Sequence, residues 1–90
     1  MNLLLKTNPF TILDVRTPSE FAKGHVPGAI NIPLEEIATR VFELRKMPKP
    51  IIAYCMNGNG SGIATSFLKK QGVAEVYNGG SLHDMLRSAQ

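Results

Sequence analysis

The sequence predicts an α/β fold with a mainly parallel sheet, and three observations carry the prediction. Short β-branched apolar runs alternate with segments of helical periodicity, the pattern of strands joined by helical crossovers. The run Pro50-Ile51-Ile52-Ala53-Tyr54-Cys55 is unbroken, as in a strand buried on both faces of a parallel sheet. Ninety residues, 43% hydrophobic and 19% charged, suffice for one core, so a single domain is expected over residues 1–90.

Phe10-Thr11-Ile12-Leu13-Asp14-Val15 reads as the first buried strand. Thr17-Pro18-Ser19-Glu20 then predicts a helix start: Thr17 as N-cap, Pro18 at the first helical position and Glu20 completing a capping box. Gly24 stops this helix after about a turn and a half, and Val26 to Ile32 forms a turn leading into a second apolar segment. Leu34, Ile37, Val41 and Leu44 recur at steps of three and four, which predicts one continuous helix with Glu35 and Glu36 in its first turn and Arg45 and Lys46 in its last. Pro48 and Pro50 prevent it continuing. After the strand ending at Cys55 comes Met56-Asn57-Gly58-Asn59-Gly60-Ser61-Gly62, an uncharged loop with three glycines. A helix beginning near Ser61 follows, with Ile63, Ala64, Phe67 and Leu68 as its apolar stripe and Gly72 as a left-handed cap. Val73 to Tyr77 is the next expected strand, Asn78-Gly79-Gly80 a turn, and Ser81 to Arg87 a final short helix.

The net charge of +3 is scattered from Lys6 to Arg87, and the two small basic groups fall at helix ends, where cations complement the helix dipole. With few aromatic residues free to stack on bases, no nucleic-acid partner is expected. The longest apolar run, Ile51 to Met56, is far too short to span a bilayer, so no membrane partner is expected either. The opening Met1-Asn2-Leu3-Leu4-Leu5-Lys6 has no basic n-region and no cleavage site, which predicts a cytoplasmic location.

One cysteine excludes an intramolecular disulfide framework, a Cys-x-x-Cys redox pair and a thiolate-rich zinc site. Cys55 is thus either buried filler or a reactive thiol. It stands at the carboxyl end of a strand, where open α/β sheets gather their ligands. Glycines 58, 60 and 62 let successive backbone NH groups turn inward as a nest for an anion, and the following helix adds its positive end. Both effects lower a thiol pKa and favour a functional cysteine. A thiolate without a neighbouring His suits sulfur or phosphoryl transfer better than proteolysis, which needs a base and an oxyanion donor. His25 and His83 lie elsewhere in sequence and read as surface or packing residues. No metal-ligand spacing is present, and no cofactor is expected.

These residues carry a resemblance. Asp14-Val15-Arg16-Thr17-Pro18-Ser19-Glu20-Phe21, Gly24-His25-Val26-Pro27-Gly28-Ala29-Ile30-Asn31-Ile32-Pro33, the Cys55 loop and Asn78-Gly79-Gly80 resemble, in order and spacing, the signatures of a single-domain rhodanese. The resemblance implies a rhodanese-like sheet flanked by helices on both faces. It also implies sulfur transfer from a small anionic donor, thiosulfate or polysulfide, through a cysteine persulfide to a thiophilic acceptor, cyanide or a protein sulfur acceptor. Carried over by position, Cys55 is the nucleophile. The substrate cradle is Met56, Asn57, Gly58, Asn59, Gly60 and Ser61, while Asp14, Arg16 and Glu20 are architectural.

The chain departs from the family in three ways. The loop has no Lys or Arg, where active members often carry an arginine at the place of Gly60; the chain is short at both ends; and the aromatic that usually follows the glycine pair is missing. Missing loop charge keeps a second reading open, a non-catalytic sulfur-carrier or regulatory module. A cell-cycle-type phosphatase would need arginine where Ser61 stands, and the glycines miss the dinucleotide and P-loop spacings.

Overall fold

The computed structural model describes residues 10–88, so the Met1–Lys6 segment lies outside them. The apolar runs become four parallel strands, β1 (Thr11–Asp14), β2 (Ile30–Asn31), β3 (Ile51–Cys55) and β4 (Val76–Ser81), in the order β2-β1-β3-β4. Helix α1 (Pro18–Ala22) follows β1. A 3-10 helix (Leu34–Arg40) and α2 (Val41–Lys46) join β2 to β3, α3 (Asn59–Lys70) joins β3 to β4, and α4 (Leu82–Ser88) closes the described chain.

Strand alternation sorts the core onto two faces. Leu13, Val15, Ile51, Ala53, Cys55 and Val76 pack against Ile37, Val41 and Leu44 and against Ala64 and Leu68 of α3. Ile12 and Tyr54 face the other way, against Val26, Leu82 and Met85. The sheet therefore has helices on both faces, as expected.

Several elements form for the reasons their residues give. At α1, Thr17 Oγ1 accepts the Glu20 N–H at 3.2 Å and Glu20 Oε1 accepts the Thr17 N–H at 3.0 Å, a complete capping box with Pro18 at the helix start. Gly72 is left-handed at φ +81° and ends α3.

Three expectations are corrected. The helix expected from Leu34 to Lys46 is broken at Arg40, whose φ of −119° leaves the helical region. Thr39 Oγ1 donates to the Glu36 carbonyl at 2.9 Å, a local bond that competes with the helical ladder, and Arg40 pairs forward with Glu43 at 2.8 Å. Asn78-Gly79-Gly80 is part of β4 instead of a turn: Ala53 pairs with Asn78 and Tyr54 with Gly80, so Gly79 is the extra residue of a β-bulge. In α3, Ile63 is 61% exposed and lies outside the buried stripe, whose inward positions include Ser61 and Thr65. Their hydroxyls are satisfied, Thr65 donating to the Ser61 carbonyl at 2.7 Å.

Candidate active site

The strand order reverses between β1 and β3, because the connection leaving β1 runs to β2 at one edge and that leaving β3 runs to β4 at the other. Cys55 ends β3 at this switch point, the place where open α/β sheets bind ligands. Its register follows from alternation: Ile51, Ala53 and Cys55 share the α3 face of the sheet.

Beyond Cys55 the chain turns at once into α3, earlier than the sequence suggests. Helix geometry begins at Asn59, and Gly58 alone among the three loop glycines is left-handed, at φ +90°. Gly60 and Gly62 belong to the first helical turn. The expected glycine nest is thus one left-handed residue followed by the amino end of a twelve-residue helix.

Backbone NH groups converge on the sulfur. Gly58 N–H donates to Cys55 Sγ at 3.0 Å and Ser61 N–H donates at 3.3 Å, while the Ser61 hydroxyl lies 3.5 Å away. In its protonated form the thiol donates to Asn57 Oδ1 at 3.7 Å, and that oxygen also accepts the Asn59 N–H at 2.9 Å. The N-cap residue of α3, Gly58, has no side chain to cap it. The sulfur takes the place that a Ser or Asp oxygen usually fills, accepting an orphan NH of the first turn. Burial acts most strongly on this thiol and pushes its pKa up. The Ser61 hydroxyl and the backbone of Ser61, Asn57 and Gly58 together outweigh burial, so the thiol sits below its ordinary value.

The six residues expected to form the cradle divide by position. Gly58, Ser61 and Asn57 are hydrogen-bonded to the sulfur. Gly60 lies beside it, close enough that a Cβ there would meet Sγ at 3.7 Å. Met56, 53% exposed, instead lines a cleft of about 510 Å³ with Lys23, His25 and Leu82. The Asn59 side chain is exposed, and only its backbone takes part in the turn.

Neither histidine has a hydrogen bond to the sulfur. His25 stacks on Phe21, ring centroids 3.7 Å apart, with Nδ1 against the Phe21 carbonyl at 2.8 Å. His83 is exposed on α4. Among the described residues no group of three or more His, Cys, Asp or Glu is placed to hold a metal ion.

Two supports of the site are not evident in the sequence. Asn78 of β4 shares the Val76 face and reaches α3: its Oδ1 accepts the Ser61 hydroxyl at 2.7 Å, and its Nδ2 donates to the Gly58 carbonyl at 3.2 Å. Tyr54 sits on the opposite face, fully buried, and donates to Asp14 Oδ2 at 2.6 Å while accepting the Val26 N–H at 3.1 Å. Asp14 is also held by Arg16, Nη2 to Oδ2 at 2.7 Å, and Arg16 donates onward to the Gly24 carbonyl at 2.6 Å. Asp14 and Arg16 thus bind the loop after β1 to β3, and Glu20 caps α1. The only signal for Tyr54 was a polar atom in an apolar run; Asn78 had its place in a glycine motif.

The family model for the rhodanese-like domain matches residues 1–81. An uncharacterized protein of Bacillus subtilis, YqhL, is 46% identical over 67 residues, which cover 74% of this chain and 52% of that protein, so the chain spans about half the relative's length. Thiosulfate sulfurtransferase PspE of Escherichia coli is 38% identical over 81% of this chain and 71% of its own. The solved structure of the human single-domain sulfurtransferase TSTD1 matches with a TM-score of 0.76 at 26% identity, over 93% of this chain and 87% of that one.

Proposed function

Because the chain belongs to the rhodanese-like domain family, we propose that it is a sulfurtransferase, moving a sulfane sulfur from thiosulfate or polysulfide to a thiophilic acceptor through a persulfide on Cys55. The observation that carries this reading is the sulfur itself, seated at the amino end of α3 under the NH groups of Gly58 and Ser61 with no acid–base histidine bonded to it. Such a site favours a thiolate and needs no proton shuttle.

With thiosulfate, the thiolate attacks the outer sulfur. A Cys55 S–S bond forms as the donor's S–S bond breaks, and sulfite departs with the electron pair. With polysulfide the leaving group is the shortened polysulfide. The persulfide's negative charge then lies on the outer sulfur. Cyanide or a protein thiolate attacks that sulfur, carries it away, and Cys55 leaves as the thiolate. Met56, Asn57, Gly58, Asn59, Gly60 and Ser61 form the cradle in this reading, Gly58 and Ser61 supplying the NH groups. A cytoplasmic setting suits a free thiol with this chemistry. No helix among the described residues is long and apolar enough to cross a membrane.

One observation favours a second reading. The loop from Met56 to Gly62 has no Lys or Arg, so a dianionic donor lacks a charge-assisted contact, which supports a sulfur carrier or regulatory module that holds persulfide without rapid turnover. Intact-mass spectrometry separates the possibilities. Thiosulfate or polysulfide is expected to add the mass of one sulfur atom to the chain, and Cys55→Ser to abolish the addition. No adduct with either donor would defeat the enzyme reading; an adduct that cyanide fails to remove would favour the carrier.

A further inference from the structure

The Ser61 hydroxyl has one hydrogen and four acceptors around it. Asn78 Oδ1 is nearest at 2.7 Å, followed by the Gly58 carbonyl at 3.2 Å, the Gly80 carbonyl at 3.4 Å and Cys55 Sγ at 3.5 Å. The Asn78 amide is oriented independently of Ser61. Its Oδ1 accepts the Gly80 N–H at 3.0 Å and its Nδ2 donates to the Gly58 carbonyl, so the oxygen faces the hydroxyl. Ser61 is fully buried, so water does not supply an alternative partner.

We infer that Asn78 is a positioning residue that competes with the Cys55 sulfur for the Ser61 hydroxyl hydrogen, and thereby sets how strongly the cradle favours an anionic sulfur. While the sulfur is protonated, its S–H donates to Asn57 Oδ1 and the Ser61 hydroxyl donates to Asn78 Oδ1, its nearest acceptor. When the sulfur's proton leaves for solvent, the hydroxyl turns from Asn78 Oδ1 to the anion. Asn78 Oδ1 keeps the Gly80 N–H and is not orphaned, so the turn is feasible. The bond given up at Asn78 offsets part of the charge-assisted bond gained at sulfur. Return of the proton, or movement of the charge outward onto a second sulfur, sends the hydroxyl back. This deepens the reading of Cys55 as nucleophile and rests on it.

Other charges do not offer a competing route. The charged or titratable groups on surrounding elements include Glu35, Glu36 and Arg40 of the 3-10 helix, Tyr54 and Tyr77 of the sheet, the Asp14–Arg16 pair, Lys23 and His25 across the cleft, and His83, Asp84 and Arg87 of α4. None has a hydrogen bond to Cys55, Ser61 or Asn78; Asp84 instead accepts the Ser81 N–H at 3.3 Å. Helix α3 has no charge before Lys69.

The test is the pH profile of iodoacetamide alkylation of the full chain, whose single cysteine gives an unmixed signal. Four proteins are compared: wild type, Asn78→Ala, Ser61→Ala and the double variant. With Ser61 present, Asn78→Ala is expected to move the profile to lower pH and raise the rate at neutral pH about threefold or more. In the Ser61→Ala background the same substitution is expected to leave the profile in place. A profile unmoved or moved to higher pH with Ser61 present, or an equal acid shift without Ser61, overturns the inference. Should Asn78→Ala fail to fold, Asn78→Asp provides the second arm: its carboxylate competes harder for the hydroxyl, so its alkaline shift should be larger with Ser61 than without, and equal shifts overturn the inference. Alkylation needs no sulfur donor. A chain that shows the shift but forms no persulfide loses the proposed function and keeps this inference.

Discussion

A Cβ built on Gly60 would meet Cys55 Sγ at 3.7 Å and Leu34 Cδ2 at 3.6 Å, both ordinary contact distances. Gly60 is helical and carries no positive φ, so a side chain there is free of backbone strain and starts over the sulfur. The missing loop cation is therefore a matter of chemistry and not of space. Gly60→Arg is expected to raise thiosulfate:cyanide turnover, since a charge-assisted hydrogen bond of about 1.5–3 kcal/mol corresponds to roughly ten- to hundredfold in kcat/KM. Steady-state rates with thiosulfate check this, and unchanged or lower rates would show that loop charge is not limiting. A similar separation of space from conformation applies at Gly58. A Cβ there would come no nearer than 3.5 Å to Gly80, but φ +90° restricts the position to glycine, because the Gly58 N–H must turn back to the sulfur.

Among the elements, β4 shows best what the sequence conveys and what it hides. Asn78-Gly79-Gly80 has turn composition, and turn composition predicts a turn. The chain instead keeps pairing with β3 through a bulge, and the two glycines are there for different reasons. A Cβ at Gly79 would stand 2.6 Å from Met85 Sδ and 2.8 Å from Ile52 Cγ2, whereas Gly80 is left-handed at φ +93°. Gly79→Ala is expected to lower stability by about 1–3 kcal/mol through overpacking between the sheet and α4, read as a lower urea midpoint at unchanged slope. Local signals in this chain were legible: the Thr17–Glu20 capping box, the Gly72 cap, and the strand ending at Cys55 rest on neighbours within a few residues. The buried Ser61 and Thr65 were not, because tertiary packing decides which face of α3 turns inward, and the break at Arg40 was not, because the competing local bonds of Thr39 and Arg40 leave the apolar spacing unchanged. Ser61 faces inward to reach Asn78, seventeen residues away, and that choice turns Ile63 out to solvent.

At the scale of the whole molecule, the two faces of the sheet have different duties. One carries the sulfur and the larger apolar cluster, and the other contains the buried Asp14, Arg16 and Tyr54 network. Burial, reinforced by the bond to Asp14, pushes the Tyr54 pKa from its ordinary 10.0 up to about 12. A raised value means that the neutral phenol is favoured by folding. Its contribution is complete below pH 10 and is lost as the pH rises through about 12, so stability should fall across that interval. Tyr54→Phe is expected to cost about 1–3 kcal/mol at neutral pH, chiefly by leaving the buried Val26 N–H without its acceptor. It should also flatten the alkaline loss between pH 10 and 12. Urea denaturation of both proteins across that range checks the sign, and an equally steep alkaline loss in the variant would assign it to other groups.

The strand order also has a consequence in time. Thr11 pairs with Ile51, and the Tyr54 phenol reaches an aspartate forty residues earlier in the chain, so the central pair of the sheet cannot zip from a hairpin. Closing that long loop precedes any reward from the contacts it makes, which predicts slow folding for so small a protein. On the ribosome, β1 has only the two-residue β2 to pair with until β3 has emerged. Cys55 is the last residue of that strand, and its NH partners come later still. The thiol therefore acquires its lowered pKa only after the centre of the sheet has formed, and a partly made chain exposes an ordinary cysteine.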